Sequence, residues 1–181
     1  MRLHTKKLAE YACLLAFAMI VSYIEALIPI PLGIPGVKLG LANVAIVFCL
    51  YRTGIGGAFI INICRVLLCG LLFGNAYGVL YSLAGAVVSL LIMACVKRIP
   101  VFGMVGVSIA GGVAHNIGQL MLALCITQVP VLWYYLPFLL IIGALTGFLN
   151  GSLANVIYKR IAKHTELHDN EKQDAKADHN L

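Results

Sequence analysis

YGVLYSLAGAVVSLLIMACV, residues 77–96, is a run of twenty residues without one charged side chain. A helix rising about 1.5 Å per residue would carry such a run across a hydrocarbon core of about 30 Å. The preceding run, IGGAFIINICRVLLCGLLF, residues 55–73, repeats the pattern with Arg65 as its one charge. Working outward, further candidate spans cover 8–28, 39–51, 101–127 and 132–158, set apart by Pro, Gly or basic residues. Composition agrees, because 61% of the 181 residues are hydrophobic and 11% charged, a balance that no soluble domain could bury. The reading is an all-α integral membrane protein of six transmembrane helices, a multi-pass protein of the bacterial cytoplasmic membrane.

Span 39–51 is short for a crossing. Were it a re-entrant hairpin, every later span would reverse and Lys97, Arg98, Lys159, Arg160 and Lys163 would lie outside. Six crossings instead place Arg2, Lys6, Lys7, Arg52 and those five residues in the cytoplasm, with Lys38 alone external, as the positive-inside rule requires. Both termini are then cytoplasmic. The first apolar run is longer than a signal-peptide core and has no small-x-small cleavage pattern in the usual place, so an uncleaved first helix is expected. The transmembrane domain is read as residues 1–163. Residues 164–181 carry five acidic side chains and two lysines with almost no apolar residues, and are expected to form a disordered cytoplasmic tail. The basic residues of the rest sit between hydrophobic runs, which topology explains and nucleic-acid binding does not.

Polar residues inside a membrane are costly and therefore mark candidate functional positions. Counting from Gly54, Arg65 lies about 16 Å from the cytoplasmic side, near the midplane, with Asn62 one turn earlier on the same face. His115 and Gln119, four residues apart, fall about 21 and 27 Å up, in the outer half. Glu25, Asn43, Asn75 and Asn116 also map outward, and Lys38 sits in an external loop, 29–40, rich in Pro and Gly. Together these suggest an outward-facing polar pocket suited to a small organic ligand. A guanidinium at that depth needs a counter-charge, from Glu25 or from an anionic group on the ligand. A purely structural Arg65, satisfied by Glu25, Asn62 and carbonyls, stays open, as does a packing role for His115. The cluster Trp133-Tyr134-Tyr135 reads as an interfacial aromatic belt.

Small residues at four-residue spacing predict close helix contacts. Gly106, Ala110, Ala114 and Gly118 form one such ladder, Gly143, Gly147 and Gly151 another, and Ala12 and Ala16 a short one on the first helix, which could dock a partner membrane subunit. The six cysteines all fall within spans with no CxxC pair, and are expected to be small buried hydrophobes, neither disulfides nor metal ligands. No catalytic residue, metal site or cofactor is expected.

The segments PGVKLGLAN (35–43), LFGN (72–75), YSLAG (81–85) and AHNIGQ (114–119), taken together and in order, resemble the Gx transporter family. That family also carries the label heptaprenyl diphosphate synthase component I, and is similar to the substrate-binding S components of energy-coupling-factor transporters. The resemblance covers about residues 8–163. It implies an S-component-like six-helix bundle with a ligand near the outer face under the first external loop. Vitamins, flavins and quinone precursors are the ligand classes it implies, with Ala12 and Ala16 matching the alanine-spaced face that meets a transmembrane coupling subunit. No Walker motif occurs, so ATP-driven uptake would require separate ATPase subunits. The synthase label meets a chemical objection. Ionising an allylic diphosphate calls for Mg²⁺ held by clustered carboxylates, whereas Glu10 and Glu25 sit far apart and no Asp precedes Asp169. The alternative reading is therefore a non-catalytic membrane component of an isoprenoid synthase.

Overall fold

The computed structural model describes residues 2–27 and 40–178, with side chains over 5–27 and 40–164. Among the described residues six α-helices follow one another, α1 (Arg2–Leu27), α2 (Asn43–Arg52), α3 (Gly54–Phe73), α4 (Ala76–Val96), α5 (Met104–Thr127) and α6 (Leu136–Asp178). A 3-10 stretch, Pro130–Tyr135, leads into α6, and the described residues contain no strand. Five helices are long and apolar enough to cross a membrane, while α2 has ten residues. The second helix thus begins at Asn43, four residues later than the apolar run. Likewise α5 begins at Met104 and not at 101, after the turn that reverses the chain beyond Val96. The backbone of α6 continues as helix to Asp178, through the polar stretch for which composition leads one to expect disorder. That stretch is rich in good helix formers such as Glu166, Glu171, Gln173, Ala175 and Lys176.

The short helix holds the centre. Helices α1, α3, α4, α5 and α6 form an arc, each touching the next, and α2 touches all five. Every residue from Asn43 to Leu50 is buried. This explains how ten residues suffice: α2 is walled by protein, so its length need not match the hydrocarbon thickness. Its apolar side chains, with Ala18, Ile61, Leu90, Met93 and Val107, make up the core.

Polarity is reversed relative to a soluble bundle. Leu71, Leu145, Leu149 and Tyr134 are more than half exposed, whereas Asn62, Arg65, Asn116 and Gln119 are buried. Apolar residues on the outside and polar residues within are what a lipid surround selects. Trp133, Tyr134 and Tyr135 are all exposed, as an aromatic belt requires. Of the cysteines, Cys49 and Cys69 are buried, but Cys13, Cys95 and Cys125 are exposed. In a chain whose exterior is apolar, a small hydrophobe need not be interior, so half of the expected burial does not hold.

Glycine decides the tightest contact. A Cβ at Gly112 of α5 would run into the Gly143 carbonyl oxygen of α6, and one at Gly147 would lie 2.7 Å from the Ile109 Cα and the Ser108 carbonyl oxygen. The ladder on α6 is therefore used, but it meets positions 105, 108, 109 and 112 of α5, and not the expected ladder at 106, 110, 114 and 118. Gly118 instead faces α4, 3.0 Å from Ala84 O at the position its Cβ would take. Gly112→Ala should lower stability by about 1–3 kcal/mol, because backbone stands where the methyl must go. Gly56→Ala, in an exposed helical position with open space around it, should instead raise stability by about 0.4–1 kcal/mol. Thermal melting of the two variants in the same detergent checks the contrast.

Candidate ligand site

The site begins with the two ends of α2. Its N-cap residue, Ala42, has no side chain able to satisfy the first amides. The turn before the helix does so instead, Asn43 N–H donating to Gly40 O at 2.9 Å and Val44 N–H to Leu41 O at 3.1 Å, and Glu25 of α1 holds that turn, its two carboxylate oxygens accepting from the N–H of Gly40 and, at 3.2 Å, of Ala42. A carboxylate at a helix N-terminus is favoured by both the hydrogen bonds and the macrodipole. Gly40 adopts φ +82°, a conformation open to glycine, and its carbonyl accepts from Asn150 Nδ2 of α6 at 2.9 Å. At the opposite end Lys97 Nζ donates to Leu50 O at 2.7 Å and lies 4.5 Å from the Tyr51 ring centroid, while Arg52 pairs with Glu10 at 2.7 Å. Burial pushes the Lys97 ammonium below the ordinary lysine range. The exposed Arg52–Glu10 pair adds little energy, but it brings the start of α1 to the end of α2.

Around the N-terminal end of α2 the buried polar residues gather in two patches. In the first, Arg65 Nη2 donates to Asn62 Oδ1 at 2.8 Å and Nη1 to Ser22 Oγ at 3.1 Å, while Asn62 Nδ2 donates to Ala86 O of α4 at 3.3 Å. Arg65 forms no ion pair among the described residues, and its Nε has no hydrogen-bond partner. Glu25 was one expected counter-charge. The carboxylate lies within electrostatic reach of Arg65 but its hydrogen bonds go to the Gly40 and Ala42 amides ahead of α2, and Ser22, one turn earlier on α1, receives the guanidinium.

The second patch lies between α2, α4 and α5, where His115 sits between two glycines. A Cβ at Gly85 would lie 2.8 Å from His115 Nδ1 and 2.9 Å from Gln119 Cγ, and a Cβ at Gly40 would lie 3.2 Å from Asn43 Nδ2 and 3.6 Å from His115 Cδ2. Gln119 is 1% exposed and Asn43 4%. Neither nitrogen nor oxygen of the Gln119 carboxamide, nor Asn43 Nδ2, has a partner among the described residues. The patches approach each other on α4, where Gly85 bears the second and the neighbouring Ala86 the first.

The other sequence candidates go elsewhere. Asn116 is buried but donates to Leu139 O at 2.8 Å, tying α5 to α6. Asn75 is exposed and caps α4, accepting from Gly78 N–H at 2.7 Å. Lys38 and the loop from 28 to 39 lie outside the described residues. Ala12 and Ala16 are exposed along α1. Sequence reasoning missed Ser22 and Asn150, which bond to Arg65 and Gly40; Ser22 stands three residues before Glu25 on the same helix face, the one local signal available.

A family model described as heptaprenyl diphosphate synthase component I matches residues 14–157. The chain belongs to the heptaprenyl diphosphate synthase component I family. The match runs from the middle of α1 into α6, so both polar patches lie inside the family's domain. No curated protein and no solved structure matches the chain.

Glu25→Gln keeps the shape but replaces one acceptor by an amide donor facing a backbone N–H, and removes the charge from the helix terminus. It should lower stability by about 1–2 kcal/mol, and Glu25→Ala by more, since two amides are then left without an acceptor. Melting curves of the purified variants check the order wild type, Gln, Ala.

Proposed function

We propose that this chain is a membrane-embedded subunit that binds a small organic molecule from the outer face, similar in kind to the S components of energy-coupling-factor transporters. The single observation carrying this reading is the buried polar cluster whose groups are left unfilled by protein: Arg65 Nε, Asn43 Nδ2 and both polar atoms of the Gln119 carboxamide. A group without a partner in low dielectric costs about 1–3 kcal/mol, so three residues in this condition around one helix end point to a molecule that completes them. His115 and Glu25 complete the surround, and Lys38 belongs to the loop expected to cover it. The ligand classes considered are vitamins, flavins and quinone precursors.

The proposal includes six crossings, with both termini in the cytoplasm of a bacterial cell. Support comes from α2, whose two ends meet Glu25 and Glu10, fifteen residues or about 22 Å apart on α1. A helix pinned at both places runs along the middle of α1 and does not double back. Ala12 and Ala16 are proposed to face a transmembrane coupling subunit served by separate ATPase subunits, a role their exposure on α1 permits.

The family's name favours a second reading, a membrane component of heptaprenyl diphosphate synthase. In that role the chain would be non-catalytic by itself, since Glu10 and Glu25 stand at opposite ends of the bundle and are engaged with Arg52 and with the Gly40 and Ala42 amides. Such a subunit would hold a lipid product or anchor a catalytic partner through cytoplasmic loops near Arg52 and Lys97.

Thermal stabilisation of detergent-purified protein separates the two. A vitamin, flavin or quinone precursor at a hundred times its Kd should stabilise the fold by about 2.7 kcal/mol, with the effect lost in Arg65→Ala. A response to prenyl diphosphates alone would overturn the uptake reading and favour the synthase component. Topology is tested independently: reporters fused to the N- and C-termini should both report cytoplasm, whereas five crossings would put them on opposite sides.

A further inference from the structure

The second polar patch carries a more specific assignment, resting on the ligand-binding reading above. The unfilled atoms of its carboxamides are two donors, Asn43 Nδ2 and Gln119 Nε2, and one acceptor, Gln119 Oε1. Both residues are more than nine-tenths buried and both adjoin His115, Asn43 across Gly40 and Gln119 across Gly85. All three atoms belong to two carboxamide groups, which are uncharged at any physiological pH.

A ligand that fills this set must offer two acceptors and one donor on a neutral edge. Carboxylates and diphosphates offer acceptors alone, which leaves the Gln119 oxygen unfilled. An amine or alcohol lacks the second acceptor. A cyclic imide, with an N–H between two carbonyls, presents acceptor, donor and acceptor in one plane, and the donor and acceptor of a single carboxamide can pair with half of that edge side by side.

We propose that Asn43 and Gln119 form a subsite for the imide edge of a planar, uncharged heterocycle, with Gln119 making the paired contact and Asn43 taking the second carbonyl. The glycines at 40 and 85 make room for the side chains that carry this edge, since a Cβ at either would press on Asn43, His115 or Gln119. Arg65, in the other patch, is left to any further acceptor on the same molecule.

The test uses the full chain in lipid nanodiscs and reads binding by thermal shift and ligand fluorescence. Its probes are alloxazine, thymine and 1,8-naphthalimide, each beside its imide N-methyl derivative. At least one imide should bind, with N-methylation weakening it tenfold or more, equivalent to about 1.4 kcal/mol, and Gln119→Leu and Gln119→Glu doing the same. Equal binding of an imide and its N-methyl derivative would overturn the subsite while leaving the ligand-binding reading intact. The subsite is likewise overturned if no imide binds but a vitamin or quinone precursor without that edge does. If nothing in either panel binds, the polar groups are met by ordered water and both readings fall. The N-methyl comparison is made on the wild-type chain, so it decides the matter even if the variants do not fold.

Discussion

A ten-residue helix at the centre of a membrane bundle is possible because both its ends are satisfied by other helices. In lipid a helix terminus cannot turn to water for the hydrogen bonds its own turns leave open. Glu25 meets the amides of Gly40 and Ala42 in the turn that leads into α2, and Lys97 meets a C-terminal carbonyl. Each charge also has the sign the macrodipole favours at that end. These contacts fix where α1 and α4 stand relative to α2, and the remaining helices close an arc around it.

That arrangement accounts for the placement of the polar residues. With Glu25 committed to the end of α2, the guanidinium of Arg65 is left to Ser22 and Asn62. On the other side the fold draws α5 close to α4 through Gly85 and Gly118, bringing His115 and Gln119 beside the entry to α2. The tight contact of α5 with α6 gives this wall little freedom, because it is backbone against backbone at Gly112, Gly143 and Gly147. Unfilled polar groups held by rigid neighbours are preorganised, so the proposed ligand would not bear the entropic cost of ordering them.

Much of the site was legible residue by residue. Asn43, Asn62, Arg65, His115 and Gln119 stand out in the chain because a polar side chain within an apolar span needs a reason. Of their partners only Asn62, one turn before Arg65 on the same helix, was legible. Asn75 and Asn116 carry the same signal, yet one caps a helix and the other ties two helices together. Nothing in composition distinguishes a polar group that has a carbonyl within reach from one that has none. The glycine ladder on α6 was readable from its spacing, but its register on α5 was not, since positions 105 to 112 and 106 to 118 differ in which neighbour they face and not in any local preference.

The sequence by itself determined that this is a helical membrane protein, where most of its helices lie, and which residues are out of place in lipid. Hydropathy and the distribution of positive charge are sums over the chain, so they survive without coordinates. Only the tertiary structure decided that the shortest apolar run is the buried centre, that the hydrogen bonds of Glu25 go to the turn before it and not to Arg65, and that Asn43 and Gln119 share His115 as a neighbour. Those are outcomes of competition for partners between helices far apart in sequence, and such competition is settled by distance and direction in space, which no local pattern encodes.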